Sequence, residues 1–243
     1  MRNLLKLLTQ SLSLFLPGLV RRKLERRRVR REIFAQSTPR ERFDQIYKHG
    51  FWLRRAHSLE SRSGNASSLA STTLFREDLT AFLRREPPGV FFDAPCGDFN
   101  FMRHVEFPPQ WSYVGGDIAP SLIRDITANF PDRRFIEFDL ARDPFPKCSI
   151  WLCRDCLPHL SFEEIRKVFE NFARSKARFA LITCHQDVGA NRDMITGGFR
   201  PLDLTQPPFN LPRPDAFLRD SPLGEAPRFV GIWSRSQIAA TLA

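Results

Sequence analysis

The chain has 243 residues, enough for one α/β domain of about 200 residues plus an extension. Hydrophobic residues make up 42% and charged residues 26% of it, proportions that exclude a disordered chain and one built from membrane-spanning helices. The net charge of +10 is local: residues 1–31 hold ten Lys or Arg against one acid, Glu25, while the remaining 212 residues carry 27 basic and 26 acidic side chains. A nearly neutral body argues against a nucleic-acid-binding domain.

The first element in chain order is amphipathic. Wound as a helix over Met1 to Val20, the sequence places Leu4, Leu5, Leu8, Leu12, Phe15, Leu16 and Leu19 on one side and Asn3, Lys6, Gln10 and Ser13 opposite. Pro17-Gly18 interrupts it, and Arg21, Arg22, Lys23, Arg26, Arg27, Arg28, Arg30 and Arg31 follow. No uninterrupted apolar window of about 20 residues exists, so a spanning helix is not expected. Neither an unbroken apolar run nor a small-residue cleavage site marks a secretory signal. An apolar face followed by an arginine cluster suits an anionic membrane surface, at which leucines enter the acyl boundary and guanidinium groups meet lipid phosphates. A helix docked on its own domain, an organelle transit peptide and a nucleic-acid arm are the other readings of the segment. Residues 1–36 are taken as the extension, its first 31 residues expected to be dispensable for ligand binding. Residues 37–243 are the domain, with a helical pre-domain region at 37–88 and the core at 89–243.

Within the domain, Glu41 to His49 reads as a short helix and Ser58 to Ser71 as a loop rich in Ser, Gly and Asn. Thr72 or Thr73 caps a helix that runs to Arg85, with Leu74, Phe75, Leu79, Phe82 and Leu83 as its apolar face. Strands are expected over Val90–Asp93, Tyr113–Gly116, Arg134–Phe138, Ser149–Cys153, Arg178–Thr183 and Phe229–Trp233, with helices over Pro120–Asn129 and Phe162–Ala173. This alternation predicts an α/β fold: a Rossmann-like, doubly wound, mostly parallel sheet of about seven strands with helices on both faces. Pro201 to Pro214 reads as a covering strap, and Asn191 to Arg200 as a loop able to close a site.

Ligands of such sheets bind at the carboxyl ends of the strands, and here those ends carry acids. The first strand runs into Asp93-Ala94-Pro95-Cys96-Gly97-Asp98, the second into Gly116-Asp117-Ile118, the third into Asp139-Leu140 and the fourth into Arg154-Asp155. A carboxylate at the second strand end can accept from both hydroxyls of a ribose. The G-x-G-x-x-G phosphate cradle is absent, which disfavours a dinucleotide-dependent oxidoreductase and favours a cationic, phosphate-free nucleoside.

Asp93-Ala94-Pro95-Cys96-Gly97-Asp98-Phe99, Tyr113 to Ile118 and Asp139-Leu140 resemble the successive cofactor motifs of class I S-adenosylmethionine-dependent methyltransferases. Cys153 to Leu160, Phe43 to Trp52 and Ser63 to Ser68 resemble a bacterial subgroup whose acceptors are mostly unassigned. The likeness spans roughly residues 40 to 235. It implies S-adenosyl-L-methionine as cofactor, with its methionine part bordered by Asp93, Cys96 and Gly97 and flanked by Ala94, Pro95 and Asp98. Asp117 and Ile118 would meet the ribose, Asp139 and Leu140 the adenine, and Arg154 the mouth of the site. One departure stands out: Pro95 and Asp98 occupy a turn that is commonly G-x-G-x-G.

Methyl transfer to oxygen or nitrogen needs an in-line acceptor and often a base. His159 is the candidate base, or else a histidine packed at a helix start. Arg154 orients an anionic acceptor or pairs with Asp155; these three are the candidate catalytic residues, with His185 and Gln186 also facing the acceptor pocket. No metal site is read from the five cysteines; the Cys153-x-x-Cys156 pair has no second pair at zinc-ribbon spacing, and reduced thiols are expected. The expected enzyme is cytoplasmic, peripheral on the inner face of the membrane, and methylates a small polar, glycan or lipid-linked acceptor. An RNA or protein methyltransferase and a non-catalytic cofactor-binding module are the alternatives.

Overall fold

The computed structural model describes residues 18–53, 59–220 and 226–242. Seven strands form one sheet: β1 (Val90–Asp93), β2 (Ser112–Asp117), β3 (Arg134–Glu137), β4 (Ile150–Cys153), β5 (Phe179–His185), β6 (Ala216–Arg219) and β7 (Arg228–Ser234). Their order is β3-β2-β1-β4-β5-β7-β6. Strands β1 to β5 pair in parallel, and β7 runs antiparallel to both β5 and β6. The chain winds outward in both directions from β1 and β4, so the loops after these neighbours part and leave a crevice at their carboxyl ends.

The central strands are continuous apolar runs because helices cover both faces. Successive side chains still separate by face: Phe91, Ile150 and Leu152 join one core with Phe75, Leu79 and Leu83, whereas Phe92, Trp151 and Cys153 join the other with Phe169, Phe172 and Trp233. The helices are α1 (Gly18–Phe34), α2 (Pro39–Lys48), α3 (Thr73–Arg85), α4 (Pro120–Asn129), α5 (Phe162–Ala173) and α6 (Arg235–Ala240). In β2, a Cβ on Gly115 would lie 2.6 Å from the Phe135 ring and one on Gly116 3.0 Å from Phe92. These two glycines let aromatic side chains lie directly on the strand.

Helices α4 and α5 have the predicted bounds, while α2 starts at Pro39 because Thr38 and Glu41 form a capping box around that proline. Thr72 precedes α3, but its hydroxyl donates backwards to the Ser68 carbonyl rather than capping the helix. Leu74, assigned to the apolar face of that helix, is 49% exposed; the buried stripe is Phe75, Leu79 and Leu83. Strand β6 was absent from the predicted set because only Leu218 of its four residues is buried. The strap is as read: Leu202, Leu204, Phe209 and Leu211 are buried within it.

The arginine-rich segment is the helix α1, whose last turns rest on α2 and bury Val29 and Ile33 in the main core. The predicted amphipathic segment before residue 18 lies outside the described residues. No helix among the described residues is long and apolar enough to cross a membrane.

Candidate functional site

A cavity of about 640 Å³ opens at the carboxyl ends of β1, β2, β3 and β4, lined there by Asp93 to Asp98, Asp117, Ile118, Asp139, Leu140, Arg154, Asp155 and His159. The turn after β1 is held by its backbone. The Ala94 N–H donates to Leu152 O, the Cys96 N–H to Gly116 O, and the Gly97 N–H to Asp117 Oδ2 at 3.2 Å. Gly97 sits at φ +55°, and a Cβ there would lie 2.5 Å from Ser63 Oγ. Gly97→Ala is therefore expected to cost about 1–2 kcal/mol in chemical denaturation and to displace the turn; an unchanged midpoint would show that the left-handed backbone is not required.

Burial raises two carboxyl groups beside this turn, at the ends of β1 and β2. Asp93 accepts from the Tyr113 hydroxyl at 2.8 Å, yet desolvation and the nearby Asp117 lift its pKa to about 7. Asp117 accepts from the backbone N–H groups of Ala119 and Gly97, and desolvation still carries it to about 6. Both groups take up protons on folding between their ordinary value of 3.8 and these raised values. Their contribution to stability is thus fully present at low pH and is lost as pH rises from about 4 to about 7. Urea unfolding of wild type and Asp93→Asn is the check. The change in midpoint between about pH 5 and about pH 8 should be less unfavourable in the variant, and identical pH slopes would contradict the Asp93 shift.

Asp139 accepts from the Ala141 N–H at 2.9 Å and pairs with Arg142, which also bridges to Glu164 on α5. Asp98 lines the cavity, but its carboxylate is filled by the chain's own loop, accepting from Ser61 Oγ, Ser63 Oγ and, at 2.6 Å, the Arg62 N–H. It holds the pre-domain loop against the turn and has little accepting capacity left for a ligand.

The fourth strand end is the most heavily bonded. Arg154 lies between the rings of Phe75 and Phe101 and donates in a fork to Asp220 at 3.0 and 2.8 Å. Asp155, the partner expected from sequence, stands 3.9 Å away. It accepts instead from Arg228 at 2.7 Å, and Arg228 approaches Asp220 to 3.4 Å. Burial works against the Asp155 carboxylate, but Arg228 and Arg154 outweigh it and hold its pKa below the ordinary value. Asp220 and Arg228 were not singled out in the sequence; they sit after β6 and at the start of β7, far along the chain.

His159 ends a short turn after β4 (Leu157–His159), and its ring lies between Trp52 at 5.2 Å and Phe199 at 5.4 Å. Its Nδ1 is 2.5 Å from the Gly198 carbonyl. A carbonyl only accepts, so Nδ1 carries the proton and Nε2 keeps its lone pair. Burial lowers the pKa of this imidazole, against the pull of Gly198 and Asp155, and the neutral form prevails. His185, at the end of β5, also lines the cavity and is likewise lowered by burial, whereas its neighbour Gln186 is exposed and does not line it. Cavity-lining side chains that sequence reasoning did not place there include Arg30 and Phe34 of α1 and Phe43 and Tyr47 of α2. The cysteines are free and buried, Cys153 and Cys156 included.

No protein-family model matches the chain, and no curated protein matches it by sequence. Its architecture does match solved structures. The Burkholderia thailandensis 1,6-didemethyltoxoflavin-N1-methyltransferase, bound to its namesake compound and S-adenosylhomocysteine, aligns at a TM-score of 0.53 and 16% identity, over 80% of this chain and 85% of that one. The magnesium protoporphyrin IX methyltransferase of Synechocystis with bound S-adenosylhomocysteine aligns at 0.51 and 13% identity, over 77% and 92%. Human N-acetylserotonin methyltransferase in complex with S-adenosylmethionine aligns at 0.50 and 17% identity, over 79% of this chain and 58% of that one. The chain has the fold of the S-adenosylmethionine-dependent methyltransferases, as the resemblance of its strand-end motifs implied.

Proposed function

We propose that the protein is an S-adenosylmethionine-dependent methyltransferase acting on a small polar, glycan or lipid-linked acceptor at an anionic membrane surface. The observation that carries the reading is one cavity fed by carboxyl groups from four adjacent strand ends, within a methyltransferase fold that lacks a phosphate cradle. The residues fit the cofactor. Asp117 stands buried at the end of β2 with only backbone N–H donors around it, suited to ribose hydroxyls, while Ile118, Asp139 and Leu140 suit an adenine. Asp93, Ala94, Pro95, Cys96 and Gly97 would border the methionine part. When bound, the cofactor supplies an electrophilic methyl group on a sulfonium.

The chain's own residues do the rest. His159 Nε2, unprotonated and held by the Nδ1–Gly198 contact, receives the proton of an acceptor hydroxyl or amine. Asp155 lies on the same wall and favours the imidazolium that results. Arg154, buried and fixed by Asp220 and the Ala66 carbonyl, is a positioning residue in the cavity wall. Trp52 and Phe199 flank the imidazole. The basic helix α1, which reaches the cavity wall through Arg30 and Phe34, supports a surface-bound acceptor.

Transfer of labelled methyl from S-adenosylmethionine into lipid and polar-metabolite extracts tests this reading. His159→Ala is expected to slow the transfer by about 10²–10⁴-fold with S-adenosylhomocysteine affinity retained. A variant as fast as wild type would remove His159 from the chemistry. Absence of label transfer in any fraction, with the cofactor bound, would leave a non-catalytic module.

A further inference from the structure

Helix α1 has two dissimilar ends, with cations on every side of its N-terminal half. Val29 and Ile33 enter the core, and between them and just beyond, Arg30 and Phe34 form part of the cavity wall. In the N-terminal half, by contrast, none of residues 20–28 is buried. At 100° per residue, Arg27 and Arg31 project from the side opposite Val29 and Ile33, with Val20 at 42% and Leu24 at 45% exposure on the same side and Lys23 on its flank. The cations also stand four residues apart in two rows, Arg22-Arg26-Arg30 and Lys23-Arg27-Arg31. Like charges at this spacing repel and weaken a helix; the Arg28–Glu32 approach of 3.8 Å offsets only a little of it. Such a helix gains most from a polyanion laid along its outer side.

We infer that α1 is a coupling element: its outer face docks on an anionic lipid surface, and this docking stabilises the wall that α1 gives to the cavity, raising cofactor affinity. The partner is a lipid surface because apolar Val20 and Leu24 are interleaved with the cations, and apolar side chains gain from an acyl boundary. A nucleic acid would offer them nothing, and the body after residue 31 carries nearly balanced charge. The mechanism is a shift in population. Part of the free protein has α1 frayed and the cavity wall incomplete; a surface that favours the helical, docked form raises the competent fraction, and apparent affinity rises with it. Linkage makes the effect reciprocal: bound cofactor must strengthen surface binding by the same factor. The inference rests on the proposed methyltransferase reading, since it is cofactor affinity that is coupled.

The test uses the full chain, S-adenosylhomocysteine, and vesicles of phosphatidylcholine with or without phosphatidylglycerol. Calorimetry should show the dissociation constant falling about fivefold on phosphatidylglycerol-containing vesicles and unchanged on phosphatidylcholine alone. Co-sedimentation should show saturating S-adenosylhomocysteine raising vesicle affinity by the same factor. The triple variant Lys23→Glu, Arg27→Glu, Arg31→Glu should lose vesicle binding and the shift together, while its affinity in plain buffer is no weaker than that of wild type, since relief of the repulsion favours the helix. Vesicle binding without any change in cofactor affinity would overturn the coupling. A shift produced by a short RNA and not by vesicles would overturn the lipid assignment. If S-adenosylhomocysteine bound under no condition while vesicle binding persisted, the methyltransferase reading would fall and the coupling with it.

Discussion

Asp117→Ala is expected to weaken S-adenosylhomocysteine binding by about 100-fold, corresponding to about 3 kcal/mol, with the fold retained. The side chain is 3% exposed at the end of β2 and faces the cavity beside Ile118. Its two oxygens are each committed to one backbone donor, Ala119 N–H at 3.0 Å and Gly97 N–H at 3.2 Å, which leaves lone pairs for two ribose hydroxyls. Hydrogen bonds to a charged group are the strong ones, and a desolvated carboxylate gains most from them. Asp117→Asn keeps one accepting oxygen and should fall between the two. Because burial has already raised the Asp117 pKa to about 6, affinity should also climb as pH passes through about 6 and the carboxylate ionises. Calorimetric titration of the three proteins, with circular dichroism to verify folding, is the check. A folded Asp117→Ala protein with wild-type affinity would refute the ribose assignment.

The largest effect on stability is expected from Asp220→Ala, at about 3–5 kcal/mol. The Asp220 side chain is 0% exposed, and it accepts the fork of Arg154, itself 3% exposed, and approaches Arg228, at 2%. Removing the carboxylate leaves two guanidinium groups close together in the interior, with Asp155 as the remaining acid among the four. Breaking a buried pair from one side is costly because a charge stays behind, whereas the intact network is worth much less relative to apolar packing. For a chain of this size the loss corresponds to a melting temperature lower by roughly 10 °C. Asp220→Asn, which still accepts from Arg154, should cost less. A loss below about 1 kcal/mol in Asp220→Ala, the range of an exposed pair, would mean that water enters and solvates the arginines.

The contrast between these two aspartates reflects what a sequence makes visible. Asp117 is legible because it follows a buried apolar run directly, and strand-end position is a local property. Runs such as Ile150–Cys153 stand out for the same reason: covered parallel strands are apolar without interruption. Asp220 is not legible. Its partner Arg154 lies 66 residues earlier, and only the antiparallel return of β7 between β5 and β6 brings the two together. The occupation of Asp98 by Ser61, Arg62 and Ser63 is hidden likewise, since a loop some 35 residues upstream has no periodic signal. Helix α1 misled for another reason: Val29 and Ile33 stand four apart, as a buried stripe should, but the density of arginine around them obscures a stripe of two residues. The short edge strand β6 carries one buried side chain, too few to show alternation.

The most direct measurement is calorimetric titration of the 243-residue chain with S-adenosylmethionine and S-adenosylhomocysteine, with NADH as the control ligand. Micromolar, one-to-one binding of the first two and none of NADH is the expected result, as a cavity lined by carboxyl groups and lacking a phosphate cradle requires. Binding of NADH in preference, or of neither cofactor form by the folded protein, would contradict the assignment of this site to methyl transfer.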